Sequence, residues 1–369
     1  MKDKPQAREP LRVAFFFIGM DRMEMMKAVQ EGTMPDSMLR GANFFTADKT
    51  FAVDTISSYG FESHLPRIVK KLIPMSLLQL VFVPRLLTYD VVIASDAFLL
   101  GYAVSLLGRL PGRRTHTKWV FVAINSSVLI RRHATHTVRR WLLRLSWSSY
   151  AAIACLSDRQ RLDLIDFGLK EEDISTIHFG VDTSYYRPFS DKEGEIVMSI
   201  GKDYGRDYET LLSAAGRSGL PMEIITSHKN IPPGTSIPKN VRVVYDVPLD
   251  KLRDSYERAR MVVFAVHPDD TIVGGDCCGQ TVLLEALAMR RPVISTSRAW
   301  LTEYLTEGSD YIEVPSGDAE ALAQALRKLW DDASLRRRLA AHGQHAVRES
   351  YSSRRFAADL ASLVKRVAA

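Results

Sequence analysis

The sequence predicts an α/β fold of two Rossmann-like, doubly wound parallel-sheet domains facing a central cleft. Short runs rich in Val, Ile, Phe and Ala recur between helix-length segments, the pattern of parallel strands buried on both faces by crossover helices. The recurrence halts at a turn-rich stretch around residues 178–195 and then begins again. At 369 residues, 46% hydrophobic and 25% charged, the chain suits two domains better than one.

The first series of strands is expected at residues 12–19, 51–57, 90–95, 118–124 and 151–157. The second is expected at 195–201, 222–227, 241–246, 261–266 and 292–297, with helices over 208–217, 249–259 and 280–289. Between the two series, HFGVDTSYYRPFSDKEGE carries two glycines, a proline and many turn formers without periodicity. The domains are therefore drawn as 1–178, a linker at 179–194, and 195–345. From residue 318 the chain reads as helical; in its last segment Phe356, Leu360, Leu363, Val364 and Val367 share one face and are expected to pack on a domain.

The net charge of +6 is uneven: residues 1–178 carry about +7 and the remainder about −1. Such asymmetry points to an anionic partner for the first half, a phosphorylated acceptor or an anionic membrane surface, or serves solubility alone. Nucleic acid is not expected, because the basic runs lack a recognition module or a stacking set of aromatics. Cys155, Cys277 and Cys278 form no disulfide framework, which fits a reducing cytoplasm. The apolar run at 13–18 is too short for a signal segment. The run at 72–87 is broken by Pro74, Pro84 and Arg85, so a membrane span is not expected. Peripheral contact with the inner face of an anionic membrane is the expectation that remains. Its carriers would be RRHATHTVRRWLLRLSW, read as an amphipathic helix with Arg131, Arg132, Arg139, Arg140 and Arg144, and HLPRIVKKLIP with Arg67, Lys70 and Lys71. His133 and His136 read as part of that helix's solvated basic face.

The stretch GGDCCGQTVLLEALAMRRPVIST, residues 274–296, concentrates the chemistry. A loop with three glycines runs into a helix, and free amides at a helix start, together with its dipole, attract anions. Gly279, Gln280 and Thr281 are thus candidates to hold a diphosphate. Glu285, one turn further in, is a candidate acceptor for ribose hydroxyls. The vicinal Cys277 and Cys278 have no second thiol pair or spaced histidines, so no metal site is expected.

In order along the chain, IHFGVDTSYYRP, MSIGKDYGRDYETLLSAA and GQTVLLEALAMRRPVIST resemble the linker, first C-terminal strand and donor helix of the retaining family 4 glycosyltransferases (glycosyl transferases group 1). The resemblance covers most of residues 150–365. It implies the two-domain GT-B fold, with the helix at 346–369 returning to the N-terminal domain. It also implies a nucleotide-diphosphate sugar, UDP- or GDP-linked, as co-substrate, with no metal or other cofactor. By the same resemblance Lys202 and Arg206 clamp the diphosphate as the catalytic cations, stabilising the charge that develops on the leaving group. Gly201, Gly279, Gln280, Thr281 and Val282 line the donor, Glu285 takes the ribose, and Tyr245, Asp246 and Val247 lie beside the base. Two departures stand out. Cys277 occupies the place of a donor-sugar glutamate, with Asp276 adjacent and able to reach the sugar instead. The N-terminal half has MDRMEMM after Gly19, with no second glycine nearby, and Asn125, Ser126 and Ser127 stand where many members have a histidine, so Asn125 and Ser126 are the candidate acceptor contacts.

The expected activity is transfer of a sugar, with retention, to a small-molecule, glycan or lipid-linked acceptor. A nucleotide-sugar epimerase of the same architecture and a non-catalytic nucleotide-sugar-binding partner are the alternatives.

Overall fold

The computed structural model describes residues 9–19, 22–95, 97–110, 117–190, 192–271 and 273–369; the side chain of Lys70 lies outside the described set. Two six-stranded sheets dominate. The first contains β1 (Leu11–Phe17), β2 (Phe51–Ser57), β3 (Val91–Ala94), β4 (Lys118–Ala123), β5 (Ala152–Cys155) and β6 (Ile174–Thr176), in the order β2-β1-β3-β4-β5-β6. The second contains β7 (Ile196–Ile200), β8 (Met222–Thr226), β9 (Val241–Tyr245), β10 (Ala259–Phe264), β11 (Val293–Thr296) and β12 (Ile312–Val314), in the order β12-β11-β10-β7-β8-β9. All pairings between these strands are parallel. In β1 Val13, Ala14, Phe15, Phe16 and Phe17 are all buried, as a strand covered on both faces requires. β6 and β12 are three-residue edge strands, too short to leave a periodic signal, and the sequence reading missed them.

In each sheet the strand order reverses beside the first strand, between β1 and β3 and between β7 and β10. Ligands of open α/β sheets bind outside the carboxyl ends of strands at such reversals. Here the two sets of carboxyl ends supply the walls of one cleft, since residues following β4, β5 and β7 and residues beyond β10 share a cavity.

The chain crosses between lobes twice, side by side. Val181 donates its N–H to the Tyr351 carbonyl at 2.9 Å, and Ser353 N–H returns to the Val181 carbonyl at 2.8 Å. A Cβ on Gly180 would stand 2.1 Å from the Ser352 carbonyl oxygen, so only glycine lets the two crossings lie together. The second crossing sits between the helices Ala333–Ser350 and Ser353–Ala368, the latter capped by Ser352, whose hydroxyl accepts the Arg355 N–H. As expected, that last helix packs back on the first lobe: Phe356, Leu360, Leu363 and Val364 join Val13, Phe15, Val120 and Ala154 in one core.

One expected element is corrected. Residues 131–147 do not form a single helix but a turn between Ser126–Arg132 and Thr137–Trp147. Arg131 leaves the basic face altogether, pairing with Asp163 and Asp276 at 3.6 Å each.

Candidate active site

The cleft holds a cavity of about 300 Å³ lined from the first lobe by Ser37, Met38, Arg40, Ile124, Asn125, Leu156 and Phe179. From the second lobe come Gly201, Lys202, Asp203, Arg206, Gly275, Cys277, Cys278, Gly279, Gln280, Thr281 and Val282. A larger cavity of about 840 Å³ lies at the opposite end of the first sheet, around Lys118 and Ala151. Chemistry favours the smaller one, because it alone gathers the glycine loop, a helix start and an unpaired cation.

The helix Gln280–Ala288 opens on Gly279 at φ 91°, a left-handed conformation natural only to glycine. A Cβ there would also stand 2.7 Å from the Phe264 ring. The first bond closing this helix start runs from Leu283 N–H to the Gly279 carbonyl at 2.9 Å, so the Thr281 and Val282 amides precede any intrahelical partner. Opposite them lies Arg206, only 7% exposed. Its Nη2 donates to the Ile200 carbonyl at 2.6 Å and its guanidinium lies 5.0 Å from the Phe264 ring centroid, but Nε and Nη1 are buried without partners. The close approach of Arg206 depends on Gly201, where a Cβ would stand 2.3 Å from Nε. A buried cation with two unused donors beside open amides is a seat for an anion.

Lys202 is half exposed and pairs with Asp246 at 3.3 Å, which brings the expected base-side loop to the mouth of the cavity. Asp246 takes a left-handed φ of 53°, and the neighbouring Tyr245 ring stacks on His228 at 3.8 Å. Tyr245, Asp246 and Val247 border the cavity without lining it.

Three further expected site residues do not line the cavity. Asp276 does not turn toward the sugar position. Its Oδ2 accepts the Ser127 N–H at 2.8 Å and the Gln160 side-chain amide at 2.8 Å, and its Oδ1 accepts the Val128 N–H at 2.7 Å. It thus caps the helix Ser126–Arg132 of the other lobe, whose own cap residue Asn125 supplies no side-chain bond. Burial raises the Asp276 pKa, and Gln160, the two amides and Arg131 oppose the rise. Ser126 is buried beneath the cleft floor and does not reach the cavity, whereas Asn125 does. Glu285 lies one turn below Thr281, enclosed, its Oε2 accepting the Tyr256 hydroxyl at 2.9 Å. Burial pushes its pKa up to about 7 against the pull of the Tyr256 and Tyr186 hydroxyls.

A second carboxylate repeats the Asp276 device. Glu303 accepts the Asp158 and Arg159 amides at 2.5 and 3.0 Å, adding to the Ser157 cap of the helix Asp158–Asp166. Sequence reasoning did not find Glu303, nor Asp203 and Arg298, which shape the donor loop. Asp203 Oδ1 accepts the Gly205 and Gly275 amides at 2.6 and 3.2 Å. Arg298 donates to the His267, Gly275 and Asp276 carbonyls and pairs with Asp269 at 2.9 Å. The Asp-x-Gly spacing of residues 203–205 was a readable turn signal; nothing local marks the other two. Arg40, beside Ser95 on the first-lobe wall, carried no signal either. Cys277 lines the cavity as a neutral thiol, its pKa raised well above the ordinary value by burial and then by Asp276.

Two outcomes follow from these contacts. Asp276→Ala orphans two buried amides and the Gln160 amide and leaves Arg131 with one partner fewer, so it is expected to cost about 3 kcal/mol in urea unfolding. Asp276→Asn, which keeps one acceptor oxygen, should cost less; equal midpoints for Asp276→Ala and wild type would refute the cross-lobe cap. Glu285 binds protons more readily folded than unfolded between its ordinary 4.5 and about 7. Its contribution to stability is therefore whole at low pH and falls as pH rises through that window, by up to about 3 kcal/mol. Unfolding of wild type and Glu285→Gln at pH 5 and pH 8 should show the wild type losing more.

The glycosyltransferase family 4 model matches residues 52–185, and the model for glycosyl transferases group 1 matches residues 210–332. No curated protein is similar in sequence at a significant level. Among solved structures, HepE of Anabaena with UDP and glucose superposes with a TM-score of 0.68 at 14% identity, over 96% of this chain and 100% of that one. Sucrose-phosphate synthase from Thermosynechococcus elongatus gives 0.71 at 14%, over 97% and 99%. A glycosyltransferase from Rickettsia africae gives 0.66 at 13%, over 98% and 99%. With a family 4 match over one lobe, a group 1 match over the other and an anion seat in the cleft between them, the chain belongs to the glycosyltransferases of the GT-B fold.

Proposed function

We propose that this chain transfers a sugar from UDP to an acceptor hydroxyl with retention of configuration and without a metal. One observation carries the reading: the unpartnered guanidinium edge of Arg206 and the open start of the Gln280–Ala288 helix share one cavity. UDP is preferred to GDP because HepE, a neighbour in fold, holds UDP and UDP-glucose. The donor belongs to the lobe of residues 195–345 and the acceptor to that of residues 1–178, where Asn125, unlike Ser126, lines the cavity.

In the reaction the bond between the sugar C1 and the diphosphate oxygen breaks while a bond from C1 to the acceptor oxygen forms on the same face. The acceptor proton passes to the departing phosphate oxygen. Arg206, Lys202 and the amides of Thr281 and Val282 stabilise the charge that grows on that group, which is why no general base on the protein and no metal is invoked. Gly201 gives Arg206 its place. Glu285 is assigned the ribose, a sugar hydroxyl replacing Tyr256 on Oε2. The acceptor is a small molecule, a glycan or a lipid-linked acceptor. The setting is the reducing cytoplasm, which the free Cys155, Cys277 and Cys278 fit, at the inner face of the membrane.

A thermal-shift panel of UDP, GDP, ADP, CDP and TDP tests the donor. UDP should raise Tm most, since binding to the folded state stabilises it; no shift with any nucleotide would end the reading. Arg206→Met should remove most of the UDP shift and lower turnover about 100-fold or more. Without nucleotide it should leave Tm equal or higher, because a buried unpaired charge is gone. Glu285→Gln should weaken UDP about tenfold; unchanged affinity would leave Glu285 a strut for Tyr256 alone.

A further inference from the structure

Apolar residues normally point a surface helix inward, yet the helix Thr137–Trp147 turns an apolar stripe to solvent. Val138, Trp141, Leu142 and Leu145 recur at the spacing of one helical face and are 70, 59, 51 and 38% exposed. The opposite face holds the helix in place, with Ser146 and Trp147 buried and Arg140 lying 4.9 Å from the Phe167 ring centroid. The stripe is therefore not a misplaced core.

The exposed apolar surface continues across the lobe. The helix Phe98–Leu107 packs against Thr137–Trp147 on one side and against Met75–Leu78 and Gln79–Phe82 on the other. It exposes Leu106, and the neighbouring segment exposes Ile68, Leu72, Leu77 and Val81. A patch of this extent on a soluble surface marks an interaction site.

Charge identifies the partner. Residues 63–89 and 97–157, which include the helices of this face, contain 13 Lys and Arg and not one Asp or Glu. At the chain's own acidic frequency, 43 in 369, about ten would be present in those 88 residues. Arg67, Lys71, Arg132, Arg139 and Arg144 are exposed around the apolar residues. An apolar face ringed by cations, with Glu62 at its edge held by the Gln79 side-chain amide at 3.1 Å, matches a bilayer carrying anionic headgroups. Binding another protein would need no such purge of acidic residues.

We propose that the side of the first lobe formed by Thr137–Trp147, Phe98–Leu107 and residues 67–81 docks on an anionic lipid bilayer. Trp141 and Leu142 enter the interface and Arg139 and Arg144 meet the headgroups. The inference deepens the transferase reading by naming the surface on which the enzyme works. Its evidence, however, lies outside the cleft, so the two readings can fail separately. The turn at residues 133–136 links the docking helix to Ser126–Arg132, which starts at the cleft wall and, at seven residues, is about 10 Å long.

The test is co-sedimentation of the full chain with vesicles of phosphatidylcholine alone or with 30% phosphatidylglycerol (about 30 mol %, enough to set a surface potential). Binding should be at least about tenfold stronger to the anionic vesicles and should fall about tenfold or more on raising salt well above physiological strength. Trp141→Ser with Leu142→Ser, and separately Arg139→Gln with Arg144→Gln, should each weaken binding about tenfold while the UDP thermal shift stays unchanged. Equal binding to neutral vesicles, no binding to either, or full binding by both variants would overturn the proposal. So would a wild-type dimer in sedimentation velocity that the Trp141 and Leu142 changes dissolve, since a second copy would then own the face. Vesicle binding without a UDP shift would spare this proposal and sink the donor assignment instead.

Discussion

The cleft exists in its present shape because two carboxylates of one lobe cap two helices of the other. Asp276 and Glu303 each take a pair of backbone amides that no residue of the first lobe satisfies, and the Gln160 side chain completes the set around Asp276. Helix caps are ordinarily local, supplied by the residue just before the helix. Placed across a domain boundary, the same interaction becomes a docking register. It fixes Asn125 against Gly275, where even a Cβ would stand 2.9 Å from the Asn125 side-chain oxygen, and so sets the width of the cavity. Orphaned amides are costly enough that the lobes have reason to stay closed without ligand.

That register explains why Asp276 is not free for sugar chemistry. Immediately after it comes Cys277, neutral and partly packed into the first-lobe core, and then Cys278, whose thiol burial pushes up to about 12. The loop therefore offers the sugar no carboxylate from residues 276–278. The donor end depends instead on the diphosphate, held by geometry that two glycines permit: Gly279 allows the left-handed entry to the helix and Gly201 the approach of Arg206.

Much of this was legible before the structure. Inner strands such as β1 and β3 appear as runs of Val, Ile, Phe and Ala because both their faces are buried, whereas β2 and β9 at the sheet edges keep exposed positions; the Gln280 helix with its glycine entry reads directly from sequence. What stayed hidden depends on contacts between residues far apart in the chain. Asp276 and Gln160 are 116 residues apart, and Asp158 and Glu303 are 145 apart. Glu285 reads as an acceptor for ribose hydroxyls; only the packing of Tyr256 and Tyr186 around it shows that it is enclosed. The basic segment at 131–147 misled for a related reason, because amphipathicity alone does not say which face a protein keeps for itself.

The return of the last helix has a bearing on how the protein is made. Phe356, Leu360, Leu363 and Val364 are fully part of the core that β1, β3 and β4 begin. The lobe synthesised first is therefore completed last, waiting with an uncovered sheet while more than 150 further residues emerge from the ribosome. The second lobe, by contrast, has all its strands in one unbroken stretch and can close on itself before that final segment arrives.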